Sequence, residues 1–168
     1  MNYENQITLP KERIAVLIGK SGETKKQIEN ETGTNLTIDS KTGTVTITRT
    51  EETDSLLGIK ALDIVKAVAC GFAPEKAFKL LGHNTYIDFV DLEDTKDLHR
   101  VKSRVIGTDG KARKYIEQTT KTKVSIGEKT IGILGDPEGI AIAKEAILKL
   151  VEGSPHSNVF RYLEKNKR

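Results

Sequence analysis

Apolar and polar residues follow two periods along this chain, and the switch between them happens twice. Residues 4–9 ("ENQITL") and 85–92 ("TYIDFVDL") read as short strands, rich in β-branched and aromatic residues. Short helices are predicted next, at Lys11–Ile18 and at 95–106. Each runs into a glycine, a second glycine follows three positions later, and a charged helical segment comes after, at Glu23–Thr32 and Lys111–Thr120. Period-two alternation then marks strands at Asn35–Asp39 and Lys123–Ile126, and turns at 41–43 and 127–129 lead to a third strand. An apolar stripe at helical spacing closes each unit: Leu57, Ala61, Ile64, Val65 and Val68 in the first, Ile140, Ala143, Ile147, Leu148 and Val151 in the second. The order is β-α-α-β-β-α, twice. Residues 74–81 predict an extra helix, ended by Gly82, His83 and Asn84.

The two units are copies of one plan. A shift of 88 places Ile18 on Ile106, Gly19 on Gly107, Gly22 on Gly110, Ile28 on Ile116 and Glu29 on Glu117. Thr32, Thr34, Leu36 and Ile38 fall on Thr120, Thr122, Val124 and Ile126. The register then slips by two, because "DSKTG" is longer than "GEK", and Val45 and Ile47 match Ile131 and Ile133. Two copies are too few for a solenoid, so two domains are expected, 1–81 and 82–168, the second carrying a C-terminal tail.

Composition changes this picture little. A chain of 168 residues with 36% hydrophobic and 30% charged residues suits two small cores. The single cysteine, Cys70, excludes an internal disulfide and a cysteine-based zinc cluster, and it reads as a small buried apolar residue. No signal peptide opens the chain and no apolar run approaches spanning length, so the cytoplasm is expected and no membrane partner is. The histidines His83, His99 and His156 lie far apart, and "GKS" lacks the earlier glycine of a P-loop, where Ile14 stands. No catalysis, cofactor or metal is expected.

The glycine pairs carry the candidate chemistry. A residue without Cβ permits positive φ and close approach of another backbone. Two of them at a helix–turn–helix corner leave the next helix's N-terminus pointing outward, where free N–H groups and the dipole favour phosphate. Lys20, Ser21, Lys25 and Lys26 surround the corner at Gly19 and Gly22; Thr108, Asp109, Lys111, Arg113 and Lys114 accompany Gly107 and Gly110.

The segments "IGKSGETKKQIENETGTNLTI" and "VIGTDGKARKYIEQTTKTKVSI" resemble the core of KH domains of type I, with the final helix at the C-terminal end. That resemblance implies an α+β fold, a three-stranded sheet packed on three helices in each domain, and a GxxG loop that clamps about four single-stranded nucleotides. With the tail "EGSPHSNVFRYLEKNKR", the chain resembles archaeal members of the Dim-two, or partner-of-Nob, family of small-subunit ribosome assembly factors. The resemblance implies single-stranded RNA near the 3′ end of 16S-type rRNA as ligand, the Nob-type endonuclease as partner, and contact with the alpha subunit of translation initiation factor two.

Bases are expected in the groove between the short helices and the second strand. Ala15 and Ser103 are small at matching positions, Ile18 and Ile106 precede the turns, and Asn35 and Lys123 open the second strands, as base-edge contacts or as solvated strand ends. Residues 1–82 hold 11 basic and 11 acidic residues, which leaves 16 of 27 basic and 13 of 24 acidic residues, a net +3, for the remainder. Lys102, Arg104, Lys111, Arg113, Lys114 and Lys123 belong to a basic cluster within 100–123, opposed by Asp109 and Glu117. An acid in the second loop departs from the basic or small residues usual there. It repels phosphate, and is expected either to cap the following helix or to make the two loops unequal, with the first the more conventional clamp. An Asp at Gly19 or Gly110 is expected to weaken RNA binding without unfolding the chain. The competing readings are a protein-interaction scaffold with degenerate KH folds and a NusA-like elongation protein, whose domains use the other KH order.

Overall fold

The computed structural model describes residues 2–168. They divide into two units, one ending at His83 and one spanning Asn84–Arg168. In the first, β1 (Tyr3–Thr8) leads to α1 (Lys11–Ile18), then to a turn and α2 (Glu23–Thr32). β2 (Asn35–Asp39), β3 (Thr44–Arg49) and α3 (Ser55–Cys70) complete the frame, and α4 (Pro74–Ala77) follows. The extra helix expected over 74–81 is α-helical only to Ala77; residues 78–81 tighten into a 3₁₀ turn. The second unit repeats the order with β4 (Tyr86–Asp91), α5 (Leu98–Ile106), α6 (Lys111–Thr120), β5 (Lys123–Ile126), β6 (Thr130–Gly135) and α7 (Pro137–Val151). It adds α8 (His156–Lys165), built from the segment expected only as a tail.

Each sheet is antiparallel with the third strand central: β1-β3-β2 and β4-β6-β5. The register is the same in both, with Ile7 opposite Val45 and Val90 opposite Ile131. Central strands bury one face: Val45 and Ile47 are 0% and 2% exposed, Ile131 and Ile133 both 0%. Against them lie the stripes of the closing helices, Ala61, Ile64, Val65 and Val68 in α3 and Ala143, Ala146, Ile147 and Leu150 in α7. Each buried Leu, Ile or Val of this kind contributes about 1.5–3 kcal/mol. Asp54 and Asp136 open these helices by accepting from the N–H groups of Leu56 and Gly139 at 2.8 Å each. α5 starts at Leu98 rather than at 95, because the Asp97 carboxylate accepts from Arg100 N at 3.2 Å and fixes the N-terminus there.

The repeated Glu-x-x-Thr-x-Thr pattern ties the second helix of each frame to the second strand. Glu29 Oε2 accepts from Leu36 N at 3.0 Å, and Glu117 Oε2 accepts from Val124 N at 2.9 Å. Thr32 and Thr120 hydroxyls donate to the carbonyls of Ile28 and Ile116, both at 2.6 Å, and share hydrogen bonds with Thr34 and Thr122. These bonds set the spacing of helix and strand on either side of the expected groove. Among the described residues no helix is long and apolar enough to cross a membrane.

Candidate nucleic-acid interface

Both corners have the same backbone. Gly19 ends α1 at φ 75°, ψ 175°, Ser21 sits at φ 54°, ψ 27°, and Gly22 at φ 75°, ψ 13°. The second corner repeats this with Gly107 at φ 75°, ψ 172°, Asp109 at φ 55°, ψ 26°, and Gly110 at φ 74°, ψ 13°. The two glycines of each pair serve different ends. A Cβ on Gly107 would lie 2.7 Å from Ala112 Cβ and 2.8 Å from its N; one on Gly19 would lie 2.9 Å from Thr24 N and overlap the Thr24 side chain. Their backbone angles also belong to a region essentially confined to glycine. The first glycine is therefore an internal packing requirement. An Asp at Gly19 would disrupt the corner itself, so the expectation that it leaves folding intact is corrected.

The second glycine faces outward. A Cβ on Gly22 would meet nothing within 4 Å, and one on Gly110 only Lys114 Cε at 3.9 Å. Its left-handed conformation is one that Asp and Asn also visit. No side chain caps α2 or α6. Asp109 therefore does not cap α6, the first of its two expected roles: it occupies the left-handed position of the turn, and Gly110 takes the N-cap place. The first-turn N–H groups of both helices are left uncapped by carboxylate or hydroxyl, in open space beside a bare backbone, an arrangement suited to phosphate oxygens.

Around each corner the expected contact residues come together unevenly. Ala15 and Ser103 are exposed on α1 and α5, Ile18 is half-buried, and Ile106 is 37% exposed. Asn35 and Lys123 are exposed at the first positions of β2 and β5, opposite Thr48 and Leu134. Leu36 and Val124 beside them belong to the cores, with Ile38 and Ile126 half-buried. Lys20, Ser21 and Lys26 are exposed, whereas Lys25 pairs with Glu29 at 3.5 Å. Thr108, Lys111 and Lys114 are exposed at the second corner; Arg113 is half-buried and its Nε has no hydrogen-bond partner. Lys102 Nζ donates to Glu128 O at 3.2 Å, which draws it toward the β5–β6 turn.

Arg104 is engaged inside its own unit. Its Nε donates to Leu150 O at 3.1 Å and its Nη2 to Ser154 O, satisfying carbonyls at the end of α7. Arg13 does the equivalent job for α3, donating to Val68 O at 2.7 Å and Phe72 O at 2.9 Å. The two arginines occupy different positions of the repeat, so alignment of the copies hides the shared role. Sequence reasoning also missed Phe160, which lies beside the second corner with His156; the signal available was the apolar spacing of Val159, Phe160 and Leu163. Among the described residues no cluster of His, Cys, Asp and Glu could hold a metal.

Comparison with known proteins gives the same architecture. Residues 84–168 match the family described as eukaryotic-type KH domain, type I, and residues 4–55 match the KH domain family. A KH domain-containing protein of Methanocaldococcus jannaschii is 42% identical over 167 residues, covering 96% of this chain and 73% of that protein. The pre-rRNA-processing protein pno1 of Schizosaccharomyces pombe is 36% identical over 110 residues, 62% of this chain and 46% of its own. Dim2p in the complex of a/eIF2alpha, aDim2p and rRNA from Pyrococcus horikoshii superimposes with a TM-score of 0.90 at 51% identity, covering 98% of this chain and 93% of that one. Two tandem KH frames, matched along nearly their whole length by the Methanocaldococcus and Pyrococcus proteins, place the chain in the PNO1/Dim2 family.

Proposed function

We propose that this chain is a single-stranded RNA-binding factor of small-subunit ribosome biogenesis. It binds near the 3′ end of pre-16S rRNA in the cytoplasm and positions that strand for cleavage by a Nob-type endonuclease. The carrying observation is the open second-glycine backbone at an uncapped helix start, present twice with the same dihedral angles. Such a corner grips a sugar–phosphate backbone and leaves bases to the adjoining groove. The names of the relatives support the same reading, as pre-rRNA processing and an rRNA complex.

A second role attaches to the first unit. Its residues through Gly82 carry no net charge, and α3 presents Leu56 and Ile59 at 59% and 58% exposure. A stretch without net charge that bares aliphatic side chains suits a protein partner better than a polyanion, and the nuclease or the initiation factor alpha subunit would fill that role.

Fluorescence anisotropy with a labelled single-stranded RNA of the 16S 3′-end sequence tests the main reading. Saturable binding that weakens with salt is expected. Gly110→Asp should cost at least about tenfold in affinity with only a modest fall in melting temperature, since the left-handed φ strains an Asp by about 1 kcal/mol while its charge faces phosphate. Undiminished binding by this variant would remove the corner from the contact.

A further inference from the structure

α5 has two flanks beside the second corner. Residues two apart on a helix point to nearly opposite sides. Lys102 reaches Glu128 O of the β5–β6 turn, whereas Arg104 reaches Leu150 O and Ser154 O at the end of α7. The base groove expected of a KH fold adjoins β5, on the Lys102 flank. Ser103 stands between the two flanks, and from it toward α8 a hollow of about 460 Å³ opens beside the corner, lined in part by Arg100, Ser103, Thr108, Lys111, His156 and Phe160. That volume lies within the about 300–1,000 Å³ of small-ligand sites.

The lining has the chemistry of a nucleotide site. His156 Nε2 lies 2.9 Å from Arg104 O. A carbonyl only accepts, so Nε2–H donates, the ring is pinned at the end of α5, and in the neutral tautomer Nδ1 is left as an acceptor. Phe160 is held edge-on by Tyr115, with centroids 4.9 Å apart at 64°, and stands 6.0 Å from the His156 ring. Phe and Tyr make up only 5% of the chain, and two of them meet the His156 imidazole here. Among the described residues the Arg100 and Lys111 side chains make no hydrogen bond or ion pair. Two unpartnered cations and two hydroxyls thus line the same hollow as the Phe160 and His156 rings. The first unit has no such wall: after α3 it continues into Phe72, 3% exposed, and the four-residue α4.

We propose that this hollow is a nucleotide subsite outside the KH groove. One further unpaired base of the bound strand stacks on Phe160 and His156, and its phosphate meets Arg100 and Lys111. The proposal rests on the RNA-binding reading of the second corner, and it makes α8 a recognition element as well as a packing one.

The test uses the full chain and the labelled 16S 3′-end RNA with an abasic residue placed at each position in turn. In the unmodified protein one abasic position beyond those read in the groove should cost about five- to tenfold in affinity. Phe160→Leu should bind the intact RNA that much more weakly and be insensitive to that abasic change. Two His156 variants separate stacking from capping. His156→Gln keeps a donor for Arg104 O without the ring and should behave like Phe160→Leu; His156→Phe keeps a ring without the donor and should behave like the unmodified protein. If RNA binds in a Gly110-dependent manner but no abasic position couples to Phe160, or His156→Gln keeps the sensitivity to that abasic change, the subsite is wrong and RNA binding stands. Absence of binding by the unmodified protein overturns both.

Discussion

Asp109 is chosen by the backbone against the charge of the ligand. Its φ of 55° and ψ of 26° lie in the left-handed region, where Asp and Asn are tolerated better than most residues. Ser21 holds the same place in the first corner, at φ 54°. The glycine pair was legible in the sequence because it recurs in one frame with an isoleucine before it. The division of labour within the pair was not, since only the fold brings Thr24 and Ala112 against the first glycine and leaves the second bare. Nor was the fate of Arg104, which counts as a cation in the sequence while its guanidinium serves backbone carbonyls. Asp109→Asn keeps the left-handed tolerance and removes the charge. RNA affinity should rise about two- to fivefold at low salt, with the gain shrinking as salt rises and the melting temperature unmoved. Equal affinity at low salt would mean that no phosphate approaches this side of the corner.

At the scale of elements, both αα corners and all six strands follow from apolar period and turn chemistry, while α8 does not. Its apolar residues span one turn, too short a stripe to announce a helix after Pro155, yet Val159 and Leu163 are both 0% exposed in the second core. Beyond α8, Arg168 closes the packing. Its guanidinium binds the Asp136 carboxylate and lies 3.4 Å from Glu138, and its backbone N–H donates to Thr119 O at 3.1 Å. The hydrogen bond from Arg168, then that from Gly139 N, holds the Asp136 carboxyl below its ordinary value of 3.8. A carboxyl with a lowered folded-state pKa stabilises the fold above its unfolded value, and that stabilisation is lost as pH falls through the folded one. Asp136→Asn retains an oxygen to cap α7 but cannot titrate. Chemical denaturation at about pH 5 and about pH 3 should show the second unit losing more stability than the variant does, modestly, because both partners are partly exposed. Identical losses would show that the pair contributes nothing to acid sensitivity.

Across the whole molecule, one frame used twice carries unequal charge. The plan was readable because the copies check each other: an isolated glycine pair says little, and two at the same place between matched strands say much. What the copies share is framework, Glu29 with Glu117, Thr32 with Thr120, Ile28 with Ile116; what separates them is solvent-facing, and there sequence position alone does not tell which cations are free. Lys26 and Lys114 are matched, exposed cations one helical turn beyond their second glycines. The first belongs to a stretch with no net charge and the second to one with +3. If affinity comes mainly from the second unit, removing a phosphate contact there lowers the slope of log affinity against log salt by about 0.7 for a single strand. Lys114→Ala should show that reduction, and Lys26→Ala should leave the slope of the unmodified protein. Anisotropy titrations of the 16S 3′-end RNA over a range of salt concentrations measure both. Equal reductions would mean that the strand engages both corners, and a reduction only for Lys26→Ala would make the first corner the principal clamp, although its stretch carries no net charge.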